Sequence, residues 1–204
     1  MSFVTRRVIE DRELRLAVLA VAVVALVLSS CSAERQPTVE NTPTRRATAP
    51  SVQPELAEPT GEPRTITVEA IGVSARTVGV GLDSDGAMEV PEVDLTGWYE
   101  LGPRPGDPGP AVVVGHVDSQ AGPAVFYRLG ELTTGDRITV GYLDGVEVDF
   151  EVVVVEQHPK DELPVDQIWK ATDEPVLWLI TCGGAFDSST GHYVDNIVVL
   201  ARRI

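Results

Sequence analysis

Cysteine and histidine are scarce in this chain, with two of the first and three of the second among 204 residues. Cys31 closes an N-terminal apolar stretch and Cys182 lies far downstream, so their positions argue against a disulfide framework. His116, His158 and His192 are scattered and share no metal-ligand spacing with Cys182, which argues against a zinc site. Positive charge is also short. Sixteen Lys and Arg stand against 31 Asp and Glu, a formal net charge of -15. That balance excludes wrapping of nucleic acid and points to an acidic, soluble surface. No phosphate-cradling glycine loop is present. "GPRPGDPGP" (102–110) contains glycines, but its prolines lack N–H donors and mark a turn. There is no internal repeat, and nothing calls for a metal or cofactor.

Helical signal is thin as well. "PAVFYRLGEL" (123–132) carries Val125, Phe126, Leu129 and Leu132 at helical spacing, which predicts about two turns; "VDQIWK" (165–170) predicts one more. Strand signal dominates instead. "RTITV" (64–68) alternates polar and apolar side chains, the period of a half-buried strand. "AVVVGH" (111–116), "RITV" (137–140), "VEVDFEVVVVE" (146–156), "PVLWLITC" (175–182) and "NIVVLA" (196–201) are rich in β-branched residues and bounded by turn formers. "LDGV" (143–146) supplies the Asp-Gly of a tight hairpin between two of them. Many short strands with few helices predict an all-β sandwich or barrel over residues 63–204.

The first 31 residues read as a targeting element. Arg6, Arg7, Arg12 and Arg15 precede thirteen uninterrupted apolar residues, Leu16 to Leu28. As a helix that run spans ~20 Å, short of the ~30 Å hydrocarbon slab, and suits a signal-peptide core. Leu28-Ser29-Ser30-Cys31 resembles a bacterial lipobox, which makes Cys31 a lipidation candidate; the alternative is an uncleaved anchor continuing to Ala33. Residues 32–62 are rich in Pro, Thr and Glu, carry almost no large apolar side chain and read as an extended linker reaching roughly 30 Å. Both readings tether the domain to the outer face of the cell membrane.

Two side chains suited to covalent chemistry each end an apolar strand beside glycine: His116 in "VVVGHVDS" and Cys182 in "LITCGG". A thiol is mostly protonated at neutral pH and is commonly activated by a nearby imidazole. The bland reading is a buried small hydrophobe and a structural histidine, and spacing alone leaves both open. His158, in "EQHPKDELP", reads as a solvated loop residue, and Arg128, in "FYRL", as a surface arginine. Trp98, Tyr99, Trp169 and Trp178 are large enough to line a peptide groove but read mainly as core.

The ordered motifs "AIGVSARTVGVGLDSDGAMEVPEVDLTGWYELGPRPGDPGPAVVVGHVDS", "GPAVFYRLGELTTGDRITV" and "LITCGGAFDSSTGHYVDNIVVLA" resemble the sortases, in particular the class F sortases of actinobacteria. The resemblance implies a closed eight-stranded β-barrel with one or two short helices and the cysteine ending the seventh strand. It implies a cysteine transpeptidase that cleaves an LPXTG-like sorting signal through an acyl-thioester and passes the acyl group to an amine, a cell-wall precursor. Carried onto this chain, Cys182 is the nucleophile and His116 the general acid and base. One departure stands out. The family's third residue is an arginine on the strand after the cysteine, and no Arg occurs between Cys182 and Leu200. The expected position falls at or near Asn196, which shares a strand face with Val194 and His192. Asn196 and His192 are therefore the oxyanion or substrate candidates. L,D-transpeptidases, the rival cysteine acyl transferases, carry an Arg just after the cysteine, where this chain has Gly183 and Gly184.

Overall fold

The computed structural model describes residues 58–204. The apolar run Leu16–Leu28, Cys31 and the linker up to residue 57 lie outside the described residues. Among those described, no helix is long and apolar enough to cross a membrane.

Strand β1 (Pro63–Val68) turns through Gly72, whose φ of 71° is left-handed, into β2 (Val73–Val80). β3 (Thr96–Tyr99) runs parallel to β2, and β4 (Gly109–Gly115) pairs antiparallel with β3. A small ribbon of β5 (Asp118–Ser119) and β6 (Gly122–Pro123) follows. Then come β7 (Arg137–Tyr142), β8 (Glu147–Pro159), a single helical turn α1 (Val165–Ile168), β9 (Pro175–Asp187) and β10 (His192–Arg203). Eight of these strands close a barrel in the order β1-β2-β3-β4-β9-β10-β8-β7, with β7 pairing back onto β1. The fold is all-β, as the sequence pattern predicts. The hairpin expected at "LDGV" joins β7 to β8, with Gly145 at φ 83° and Asp144 Oδ1 accepting the Val146 N–H at 3.1 Å.

Alternation decides which side chains fill the barrel. On β9, Leu177 and Leu179 point inward to meet Ile66, Ala111, Val113, Phe150 and Val199. Trp178 and Ile180 point outward, where Trp178, Val112, Val198 and Ile168 of α1 form a second apolar cluster that Ile180 and Val114 join. β4 and β9 are parallel neighbours covered on both faces, which explains their nearly unbroken apolar runs.

Three expectations change. Segment 123–132 forms no α-helix; it closes through bonds such as Leu129 N–H to Phe126 O (3.0 Å) and Leu132 N–H to Leu129 O (3.3 Å), with a 3-10 turn at Leu129–Glu131. Phe126, Leu129 and Leu132 recur every three residues, the 3-10 repeat, and all three are buried at the barrel end. His158 lies within β8, half-buried, and not in a loop. Cys182 does not end its strand: β9 continues to Asp187. β2 and β3 carry no strong apolar run: β2 mixes small and polar residues, and β3, although mostly buried, is only four residues long with Thr96 and Gly97 among them.

Candidate functional site

The parallel register of β4 and β9 ends at Val114 opposite Ile180. Two residues further along each chain stand His116 and Cys182. Neighbouring strands lie about 4.8 Å apart, so matched positions hold their side chains side by side. Cys182, still within β9, continues the outward alternation of Ile180, and His116 stands one residue past the end of β4. Sixty-six positions of sequence are thereby collapsed onto neighbouring chain segments.

Glycine makes the approach possible on each strand. A Cβ at Gly115 would lie 2.7 Å from Phe126 Cδ2 and 2.8 Å from Val125 Cγ1, so only glycine lets the 124–132 segment close under His116. The histidine is half-buried, its backbone carbonyl accepts the Phe126 N–H at 2.9 Å, and its Nε2 lies 3.0 Å from the Pro91 carbonyl oxygen. A carbonyl only accepts, so Nε2 carries the proton in this bond and Nδ1 does not need it.

After the half-buried thiol of Cys182, each glycine has its own task. At Gly183 a Cβ would meet Ile197 Cγ1 at 2.7 Å. Gly184 has φ 74°, and a Cβ there would fall 2.2 Å from Asp195 Oδ2. The register jumps between Tyr193 and Asp195: Tyr193 pairs Phe186, yet Asp195 pairs Gly183. β9 therefore carries one residue more than β10 across this stretch, a bulge with a left-handed glycine in it. Its consequence is that Asn196 stands directly opposite Cys182. Opposed residues of an antiparallel pair share a face, so the Asn196 amide and the thiol project to the same side. Among the described residues Asn196 makes no side-chain hydrogen bond. Its neighbour on the far side is His158, whose Nε2 is 3.0 Å from Glu156 Oε2.

The remaining candidates are placed apart. His192 opens β10 opposite Asp187, exposed and four residues beyond Asn196, roughly 13 Å along an extended strand. Arg128 is held by Glu131, with Nε at 2.9 Å and Nη2 at 2.6 Å, and its Nη1 donates to Ile71 O at 3.3 Å. Trp98 and Trp178 are buried, whereas Trp169 packs edge-on against Tyr99 at 5.2 Å.

Sequence reading overlooked two participants. Thr181, just before the cysteine, occupies an inward position and its buried Oγ1 has no partner. Tyr193 donates its hydroxyl to Asp118 Oδ2, tying the β9–β10 hairpin to the segment after His116. That bond, and secondarily burial, hold the Tyr193 phenol above its ordinary pKa. A hydroxyl breaking the inward apolar alternation of Leu177 and Leu179 was the one available signal for Thr181. Together with Val117, Phe126, Tyr127, Gly130 and Glu131 these residues border a cavity of about 360 Å³ whose wall includes Cys182.

A profile of the sortase domain matches residues 66–204. The chain belongs to the sortase family. Sortases are cell-wall sorting transpeptidases that act at the cell surface. Solved sortases share the fold at low identity. Sortase C-1 from Actinomyces oris is 24% identical, with 69% of this chain and 72% of that one covered at a TM-score of 0.53. Sortase C1 from Streptococcus agalactiae is 19% identical, with 69% and 66% covered at 0.54. A lid mutant of sortase A from Corynebacterium diphtheriae is 18% identical, with 74% of each covered at 0.57. A search of curated proteins finds no match to this sequence. The cysteine strand β9 is the seventh strand of this sortase barrel in chain order.

Proposed function

We propose that this sortase is a cysteine transpeptidase in which Cys182 is the nucleophile and His116 the general acid and base. The observation that supports the reading is the β4–β9 register, whose last rung, Val114 opposite Ile180, lies two residues before each of the two side chains. The Cys182 sulfur attacks the carbonyl carbon of the scissile bond in an LPXTG-like sorting signal. The C–N bond then breaks, and His116 protonates the departing amine. The acyl group stays on sulfur as a thioester until an amine acceptor, a cell-wall precursor, takes it. One imidazole serves both halves because it donates in the first and accepts in the second.

Charge develops on the carbonyl oxygen in both steps and needs a donor aimed at it. Asn196, opposite Cys182 and uncommitted, supplies that donor where the family has arginine. His192 shares the face but stands farther out and faces substrate remote from the reacting carbon. The long ordered motifs around "GHVDS" and "LITCGGAFD" support placement in class F. The apolar run, Cys31 and the linker support an extracytoplasmic domain tethered by an anchor or a lipid.

Incubation with an LPXTG-type peptide and an amine, followed by intact-mass measurement, tests the reading. The wild type is expected to show cleavage and a thioester adduct mapping to Cys182, and Cys182→Ala neither. An adduct that persists in Cys182→Ala would sink the assignment. Tight peptide binding without turnover in the wild type would instead mark a binding module that has lost catalysis with the arginine.

A further inference from the structure

The two sides of Cys182 differ in chemistry. Toward the outer face of β4 and β9 the neighbours are the half-buried Val114 and Ile180, apolar positions suited to the side chains of an acyl peptide. Toward the barrel end lies the 360 Å³ cavity, and its border sets a single carboxylate among mostly apolar side chains, Val117, Phe126 and Ile197. Glu131, Tyr127 and Tyr193 line it, and no Lys or Arg does. Thr181 sits in its wall with an unpartnered hydroxyl.

Glu131 is the group that gives the cavity a purpose. Its Arg128 partner forms a charge-balanced pair with it, and both Nε and Nη2 donate to the same oxygen, Oε2. Oε1 has no such bond. The Arg128 hydrogen bonds also hold the Glu131 carboxyl below its ordinary pKa, so it is ionised at neutral pH. The acid is therefore fixed in place by one oxygen and left open at the other. An amine at neutral pH arrives as a cation, and a carboxylate with aromatic rings beside it is a suitable receptor for one.

Building on the transpeptidase reading, we propose that this cavity is the entry site for the amine acceptor, and that Glu131 Oε1 receives its ammonium group. The acceptor class is a primary amine that is protonated in solution. Entry from this side leaves the acyl peptide in place on the opposite side of the thiol. The step balances as follows. The ammonium loses one proton to water as it leaves Glu131 and becomes nucleophilic. Its lone pair forms the C–N bond to the thioester carbonyl, the C–S pair returns to sulfur, and the second amine proton passes to His116. An amide and the Cys182 thiolate beside protonated His116 result.

The acyl-enzyme partitions between water and amine, and that ratio isolates the acceptor step from folding and acylation, which both products share. We would measure it for the full-length wild type and Glu131→Gln with a cleavable LPXTG-type peptide, using two nucleophiles. Glycinamide is largely cationic at pH 7, and hydroxylamine is largely neutral. Glu131→Gln should lower the transfer-to-hydrolysis ratio for glycinamide about three- to tenfold, as a rise in amine KM, the scale of one partly exposed charged contact. With hydroxylamine the ratio should move less than about twofold, because no charge is recognised. An unchanged glycinamide ratio, or equal losses for both nucleophiles, overturns the acceptor site while peptide cleavage preserves the transpeptidase reading. Absence of wild-type cleavage overturns both.

Discussion

Asn196 and Cys182 meet across one rung of the β9–β10 ladder, and in the proposed mechanism Asn196 takes the place of the missing arginine. An amide N–H is a weaker donor than a guanidinium, but a preorganised one needs no reorganisation as the oxyanion forms. Losing a single oxyanion donor typically costs about 3–4 kcal/mol. We therefore expect Asn196→Ala to slow acylation by roughly 10–10³-fold with little change in peptide affinity. Asn196→Arg should retain or raise the rate. Single-turnover kinetics decide the point: a stably folded Asn196→Ala protein that acylates at the wild-type rate assigns the residue to structure. His116 belongs to the same scale. Its Nε2–H rests on the Pro91 carbonyl, so delivering that proton to a leaving amine requires exchanging one acceptor for another.

At the scale of the element, the bulge in β9 matters more than the strand itself. A left-handed residue with a side chain costs about 1–2 kcal/mol, and at Gly184 a Cβ would also press on the Asp195 carboxylate. That carboxylate is in turn bonded by Gln157 Nε2 at 2.5 Å on β8. Gly184→Ala is thus expected to lower the melting temperature by several degrees and to depress turnover, because the bulge sets the register that opposes Asn196 to Cys182. Thermal unfolding and peptide cleavage measured on one preparation check both halves. A variant with wild-type melting and rate would show that the bulge tolerates a Cβ and positions nothing. The Tyr193–Asp118 bond ties the same hairpin down. Because the phenol titrates above its usual range, this tether is present below the ordinary tyrosine pKa and is lost only as pH rises through the raised one.

For the whole molecule, we propose that the N-terminal 62 residues tether the domain at the outer face of the membrane. A single acyl chain binds membranes weakly, so lipid at Cys31 would have to be multiple to hold the protein, whereas an uncleaved anchor needs no lipid. In either case the full chain should sediment with membranes. A chain starting at residue 58 should stay in the supernatant and still cleave a soluble peptide, because the barrel and both reacting side chains lie beyond that point. Fractionation followed by a cleavage assay tests this; a soluble full chain would remove the tether.

The sequence by itself determined the strands with strong apolar runs, the Asp-Gly hairpin, the thiol and imidazole beside glycines, and the family. These are local signals: alternation, turn chemistry and ordered motifs survive in one dimension. Tertiary structure decided everything that depends on register. The parallel pairing of β4 with β9 puts its last rung two residues before both His116 and Cys182, and one extra residue in β9 brings Asn196 opposite Cys182. A one-residue slip would turn every side chain beyond it to the other face, and the pattern of residue types does not record where the bulge falls. The three-residue repeat of Phe126, Leu129 and Leu132 was present all along, but a helix and a 3-10 turn share it over so short a span. Only packing against Gly115 and the barrel end chose between them.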